Sequence, residues 1–292
     1  MLSSISKQMK EVKTYKRTLV VQGGGFRTSF TAGVLDAFIM SNYRDFDFFV
    51  GNSGGAIALS YFLSNQYKKY YEAMCLLASD PDFFSYNRIM APEGMMNVDF
   101  FKDVAHRYVP FEMDKAIEFI EDKELAFVMT DLTTGKPHYY RPNKKTWIDA
   151  IIASCTLPFV TKGKHSLNNR EYMDGGWSDP LPVEWAYSMG ARDILVIRTL
   201  QPDLKLKQSW SDYFGSMVYR TDDPIKDCFV KSHEVYNRSV DFINNPPDDL
   251  TIKYIAPIFP LKTGTYSNSV DAVTADYRNG LDRGIEFIRN GN

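Results

Sequence analysis

The sequence predicts an α/β fold built on a mostly parallel sheet, and three observations carry that expectation. Two strand, glycine-turn, helix units follow one another near the N-terminus, over residues 18–40 and 46–63. Successive units of this kind bring their strands side by side and parallel. Further short apolar strands and helical patterns alternate up to residue 198, and a chain of 292 residues with 44% hydrophobic and 24% charged side chains is long and apolar enough to bury a sizeable core.

Taken in order, residues 18–22 are a β-branched and apolar run that stops at Gly23-Gly24-Gly25, and residues 30–40 then carry apolar side chains at helical spacing. Residues 46–50 repeat the strand pattern, 51–55 the glycine turn and 56–63 a buried helix. A helix is expected over 67–78, followed by an irregular Phe- and Met-rich stretch broken at Ala91-Pro92-Glu93-Gly94. Residues 125–130 and 138–141 read as a hairpin around Thr133-Thr134-Gly135-Lys136, and 147–154 as a helix. A short strand over 171–173 ends at Asp174-Gly175-Gly176. Residues 182–189 read as a helix with Pro182 in its first turn and Gly190 as its stop, and 193–198 as another strand. Helical patterns over 227–243 and 270–289 flank a strand over 251–258. Without a repeat or a dividing linker, residues 18–292 read as one domain behind an extension of residues 1–17.

With 34 Lys+Arg against 36 Asp+Glu, the net charge of −2 gives no electrostatic ground for nucleic-acid binding. Cys75, Cys155 and Cys228 are widely spaced and odd in number, which argues against a disulfide framework and a zinc site. The first residues lack the apolar stretch of a secretory signal, and no run approaches the ~18 apolar residues of a membrane span. The expected compartment is the cytoplasm.

Gly51-Asn52-Ser53-Gly54-Gly55 is a G-x-S-x-G between a predicted strand and a predicted helix. Such a turn holds serine in strained geometry, while Gly51 and Gly55 let strand and helix approach closely enough to expose its oxygen. The helix N-terminus adds free N–H groups where an oxyanion develops. The alternative is a tight turn with an incidental serine. A nucleophilic serine also needs a base. His106, His138, His165 and His233 have no distinctive motif around them and read as ordinary surface or half-buried residues, which leaves a histidine-assisted esterase as a rival without a named residue. Asp174, on a turn opened by Gly175 and Gly176, can project into a cleft, or can simply bond its own backbone. Aspartate is a weak base at its ordinary pKa of ~3.9, so this role demands desolvation or concerted transfer. Gly23, Gly24 and Gly25 can aim N–H groups at a phosphate or an oxyanion, but Thr28 breaks a dinucleotide pattern and no Gly-Lys-Ser/Thr follows. Arg27 suits developing charge or an anionic head group, or a nearby carboxylate.

A glycine loop with a basic residue, then G-x-S-x-G, then Asp-Gly-Gly, in that order, resembles the patatin-like phospholipase family. Ala153-Ser154-Cys155-Thr156-Leu157-Pro158 and the segment from Asp174 to Val183 extend the resemblance over most of residues 18–198, with a weaker echo at 277–280. It implies a three-layer α/β/α sandwich and hydrolysis of lipid or fatty-acyl esters by a Ser-Asp dyad, with Ser53 as nucleophile, Asp174 as base, and Gly23, Gly24 and Gly25 as the oxyanion hole. It implies neither metal nor organic cofactor, and transient contact with a membrane surface. Thr28 stands where the family usually has glycine, and Asn52 and Gly54 where threonine and alanine are commoner. Acyl transfer to another alcohol and a non-catalytic anion- or lipid-binding protein are the remaining alternatives. Phe83, Phe84, Met90, Met95, Met96, Phe100 and Phe101 read either as a mobile apolar wall over an acyl site or as core beneath an irregular loop.

Overall fold

Alternation along the strands decides the architecture. In β1 (Thr18–Val21), β2 (Phe48–Asn52) and β3 (Glu124–Asp131), almost every residue is buried, as expected of strands covered on both faces. Leu19, Val21, Phe49, Leu125 and Phe127 enter one apolar core, whereas Val20, Phe48, Val50, Ala126 and Val128 enter another. The period of two thus splits each strand between two cores, one on either side of the sheet. In this computed structural model, which describes residues 15, 17–88, 91–158, 160–207, 224–266 and 269–290, the result is a three-layer α/β/α sandwich.

The first core is covered by α1 (Thr28–Met40), α2 (Gly54–Leu63) and α3 (Lys69–Ser79), with α4 (Met113–Phe119) and α5 (Trp147–Cys155) beside them. Strand β4 (Pro137–Tyr140) completes the expected hairpin with β3, and β5 (His165–Leu167) pairs with β6 (Arg170–Asp174). The second core is covered by α6 (Val183–Ser188), while β7 (Asp193–Ile197) returns to the sheet beside β1. Helix α7 (Pro224–Asn244) joins α6 on that face. Strand β8 (Thr251–Ile255) pairs with β7, and α8 (Val270–Arg289) crosses back to pack on α1. Strands β3, β2, β1, β7 and β8 run parallel, with β4, β5 and β6 antiparallel at one end.

Several boundaries depart from the pattern. The last strand ends at Ile255, three residues before the expected 258, because Pro257 offers no N–H to extend the ladder. His165, which reads from the sequence as a surface or half-buried residue, is buried in β5. Pro182 sits at the N-cap of α6 rather than inside its first turn. Helices α1 and α8 touch backbone to backbone: a Cβ on Gly280 would lie 1.9 Å from the Phe30 carbonyl oxygen, and one on Gly33 2.0 Å from that of Tyr277. Only glycine permits that approach, which gives the 277–280 segment a packing reason.

One feature of the sheet positions the site. Strand β4 pairs with β3 over Phe127 to Thr130, so it occupies one edge of β3. The other edge carries β2 up to Asn52, opposite Val128, and then β6 from Asp174, opposite Met129. Consecutive residues of β3 therefore bring the ends of β2 and β6 together, and with them Ser53 and Asp174.

Candidate active site

Ser53 follows β2 and caps α2 with φ 52° and ψ −131°, a left-handed backbone that side chains rarely adopt. The flanking glycines permit it. A Cβ on Gly51 would lie 2.9 Å from Ala56 Cα, and one on Gly55 2.5 Å from the Val21 carbonyl oxygen. Two bonds hold the turn: Ser53 N–H donates to Ser154 Oγ at 2.8 Å, and that hydroxyl donates to the Val128 carbonyl at 2.6 Å. Ser154, within the Ala-Ser-Cys-Thr-Leu-Pro segment, thereby ties α5 to the elbow, a role its sequence position did not disclose.

Asp174 ends β6 and is buried. Its Oδ1 accepts the Gly176 N–H at 2.7 Å, and its carboxyl faces the Ser53 hydroxyl. Burial pushes its pKa up to about 6, against the smaller opposing effects of the Ser53 and Gly176 contacts. Desolvation thus raises its proton affinity above that of an ordinary aspartate. Cys155 also faces Ser53, and burial, with the Asp174 charge adding to it, holds its thiol well above the usual range.

The glycine loop lies against the elbow, with a Cβ at Gly23 only 2.7 Å from Ser53 Cβ. Gly24 and Gly25 have φ 143° and 57°, and no backbone carbonyl among the described residues takes either N–H. The loop is held from outside: Thr199 Oγ1 donates to the Gly23 carbonyl at 2.7 Å, and Phe26 N–H reaches the Thr265 carbonyl at 3.5 Å. Two of the three departures from the family pattern, Thr28 and Asn52, find partners. Thr28 Oγ1 donates to the Gly25 carbonyl at 2.7 Å and meets the Tyr70 hydroxyl at 2.6 Å, so a side chain stiffens the turn. Asn52 Nδ2 reaches the carbonyls of Asp179 and Pro180, both at 3.4 Å, tying the serine turn to the segment after Asp174.

Ser53 lines two cavities, one almost wholly apolar and the other with charged and polar groups among its walls. On one side is an apolar cleft of about 600 Å3 whose walls include Ile57, Met74, Phe83, Met96, Phe101 and Ile151. Within the irregular stretch, Phe84 and Phe100 are buried in the same core, Met95 is half-buried against it, and Met90 lies outside the described residues. On the other side is a polar chamber of about 950 Å3 that contains Gly23, Gly24, Gly25, Arg27, Asp174 and Gly176. His106, His138 and His165 line neither cavity. His233, half-buried as the sequence reading allows, does line the polar chamber. Among the described residues no His/Cys/Asp/Glu group is arranged to hold a metal, and no helix is long and apolar enough to cross a membrane.

An elbow serine faced by a buried carboxylate thus lies beside a glycine loop at the carboxyl ends of the parallel strands. The chain belongs to the patatin-like phospholipase family, whose profile matches residues 19–187, and this membership supports a lipid acyl hydrolase function. Residues 223–291 match a domain of unknown function, DUF6363. The uncharacterized protein YjjU of Escherichia coli (strain K12) is 32% identical over 273 residues, covering 92% of this chain and 76% of that protein. The crystal structure of VipD from Legionella pneumophila aligns with a TM-score of 0.45 and 11% identity, over 95% of this chain and 67% of that one.

Proposed function

We propose that the protein hydrolyses the carboxylic esters of lipids through a Ser53-Asp174 dyad and an acyl-enzyme. The observation that carries this is the position of Ser53: a positive-φ elbow, faced by a buried carboxylate, at the junction of an apolar cleft and a polar chamber. An acyl chain in the apolar cleft puts its carbonyl at Ser53 and its alcohol in the polar chamber. Asp174 accepts the hydroxyl proton as Ser53 attacks, and the Gly24 and Gly25 N–H groups, with Gly23 shaping the loop, take the oxyanion. Collapse of the tetrahedral intermediate expels the alcohol, which receives the proton from Asp174. Water activated by Asp174 then attacks the acyl-enzyme, frees the fatty acid and restores the Ser53 hydroxyl.

A carboxyl titrating near 6 is ionised at neutral pH yet more basic than an ordinary aspartate, as general-base chemistry favours. Residues 18–292 act in this reading as one catalytic unit, working in the cytoplasm and meeting membrane surfaces transiently. A fluorophosphonate probe tests it: covalent labelling lost in Ser53→Ala is expected, whereas a wild-type protein that is neither labelled nor active on a panel of acyl esters refutes it.

A further inference from the structure

Beside Asp174, the polar chamber holds a cation that no carboxylate among the described residues pairs with. Arg27 is largely withdrawn from solvent, which lowers its pKa, and among the described residues the groups that offset this are the Tyr266 and Tyr236 hydroxyls rather than any carboxylate. Among the described residues its Nε is buried without a hydrogen-bond partner, and so is Nδ1 of His233, which lines the same chamber. A desolvated guanidinium left this way is costly unless an anion completes it. Tyr236, 1% exposed on α7, accepts from Arg198 Nη2 at 3.0 Å, so its own hydroxyl proton remains available. Lys207, exposed, lines the chamber as well, and Asp174 is the lone carboxylate among the described lining residues.

We propose that Arg27, Lys207, His233 and Tyr236 form an anion-binding subsite on the alcohol side of Ser53 that takes the phosphate of a phosphate-bearing leaving alcohol. It deepens the hydrolase reading and rests on it for the position of the alcohol. Donors from the glycine loop, from residue 207 and from two positions of α7 converge from separate elements, which suits the several oxygens of a phosphate better than the two of a carboxylate. His233 and Tyr236 lie within residues 223–291, so the segment matched only by a domain of unknown function supplies the wall that selects the alcohol. The acyl chain and the phosphate then leave Ser53 in opposite directions, one into each cavity.

The test is competition against hydrolysis of 4-nitrophenyl butyrate, a neutral ester, by glycerol 3-phosphate, inorganic phosphate and glycerol. Glycerol 3-phosphate is expected to inhibit competitively, inorganic phosphate more weakly, and glycerol not at the same concentrations. Arg27→Gln and His233→Gln should each raise the inhibition constant of glycerol 3-phosphate about tenfold, as expected for a lost charge-assisted hydrogen bond. Lys231→Gln, on the same helix but paired with Asp227, should leave it within twofold. Inhibition by glycerol equal to that by glycerol 3-phosphate, or an inhibition constant unmoved in His233→Gln, overturns the subsite. Inorganic phosphate binding as tightly as glycerol 3-phosphate overturns the placement of the alcohol beside it. Calorimetric binding of glycerol 3-phosphate to Ser53→Ala, lost in Ser53→Ala/His233→Gln, reads the subsite without turnover: binding in a protein inactive on every ester rejects the hydrolase reading and keeps the site.

Discussion

Replacing Asp174 with asparagine separates its chemical role from its structural cost. The carboxyl titrates near 6 in the folded protein because it is buried, against 3.8 for a free aspartate. A folded-state pKa raised above the unfolded one means that the folded state binds the extra proton between about pH 4 and 6. The stability tied to that proton is fully present below pH 4 and lost as pH rises through 6. A difference of roughly two pKa units at ~1.4 kcal/mol each makes the ionised carboxylate cost up to about 3 kcal/mol at neutral pH. Asp174→Asn removes this cost while keeping the shape and an acceptor for Gly176 N–H. The variant should therefore be inactive yet gain stability relative to wild type between pH 4 and pH 7, by roughly 5–10 °C in Tm at the upper end. Asp36 and Asp179 are also pushed up to about 6 by burial, so the measurement is the difference between variant and wild type at each pH. In parallel, wild-type kcat/KM should rise with pH on a limb centred near 6. A stability difference that stays flat from pH 4 to 7, or an activity limb near 4, would refute the argument that burial has tuned this carboxyl.

Ser53→Ala should abolish turnover, and Ser53→Ala/Asp174→Asn should be little worse than either single variant, since the two residues act as a unit. Single replacement of His106, His138 or His165 should keep kcat within about tenfold, and loss of turnover in a folded variant would install a histidine in place of the dyad. Gly25→Ala should lower kcat roughly a hundredfold, the scale of losing one oxyanion donor, because its Cβ would sit 2.3 Å from the Thr265 carbonyl oxygen and push the loop out of place; undiminished kcat would remove the loop from the mechanism. Met96→Ser, which wets one wall of the apolar cleft, should lower kcat/KM for dodecanoyl esters about tenfold more than for acetyl esters, and an equal loss on both would make Met96 core alone.

The strands and glycine turns were legible because each rests on local chemistry: Leu19 and Val21 alternate with Val20, and Gly51 and Gly55 bracket Ser53. Ser53 and Asp174 were legible for the same reason, each marked by its own glycines. Features that depend on long-range contact were not. Nothing near Ser154 states that its hydroxyl bridges the elbow to β3, and nothing near Thr265 states that its carbonyl braces the glycine loop. His233 read as surface or half-buried on a charged helical stretch, and only the fold places it on the wall of the chamber beside Ser53. Asn52 and Thr28 stood out as departures, and their explanation lies in Asp179, Pro180 and Tyr70, residues distant in the chain.

Because β2 and β6 end against neighbouring residues of β3, Ser53 and Asp174 are registered on a common ladder, although they lie on opposite sides of a long intervening stretch of chain. The distance between them is fixed by the hydrogen-bond repeat of a strand and is insensitive to what the connecting segments do. Insertions in the irregular stretch around residues 81–101 can therefore reshape the acyl cleft while the dyad keeps its spacing. A slip of β6 by one residue along β3 has the opposite effect, since it would turn Asp174 to the other face of the sheet. On the proposed dyad, substrate range and catalytic competence are thus separable: the first can drift with loop sequence, and the second is locked to the register of three strands.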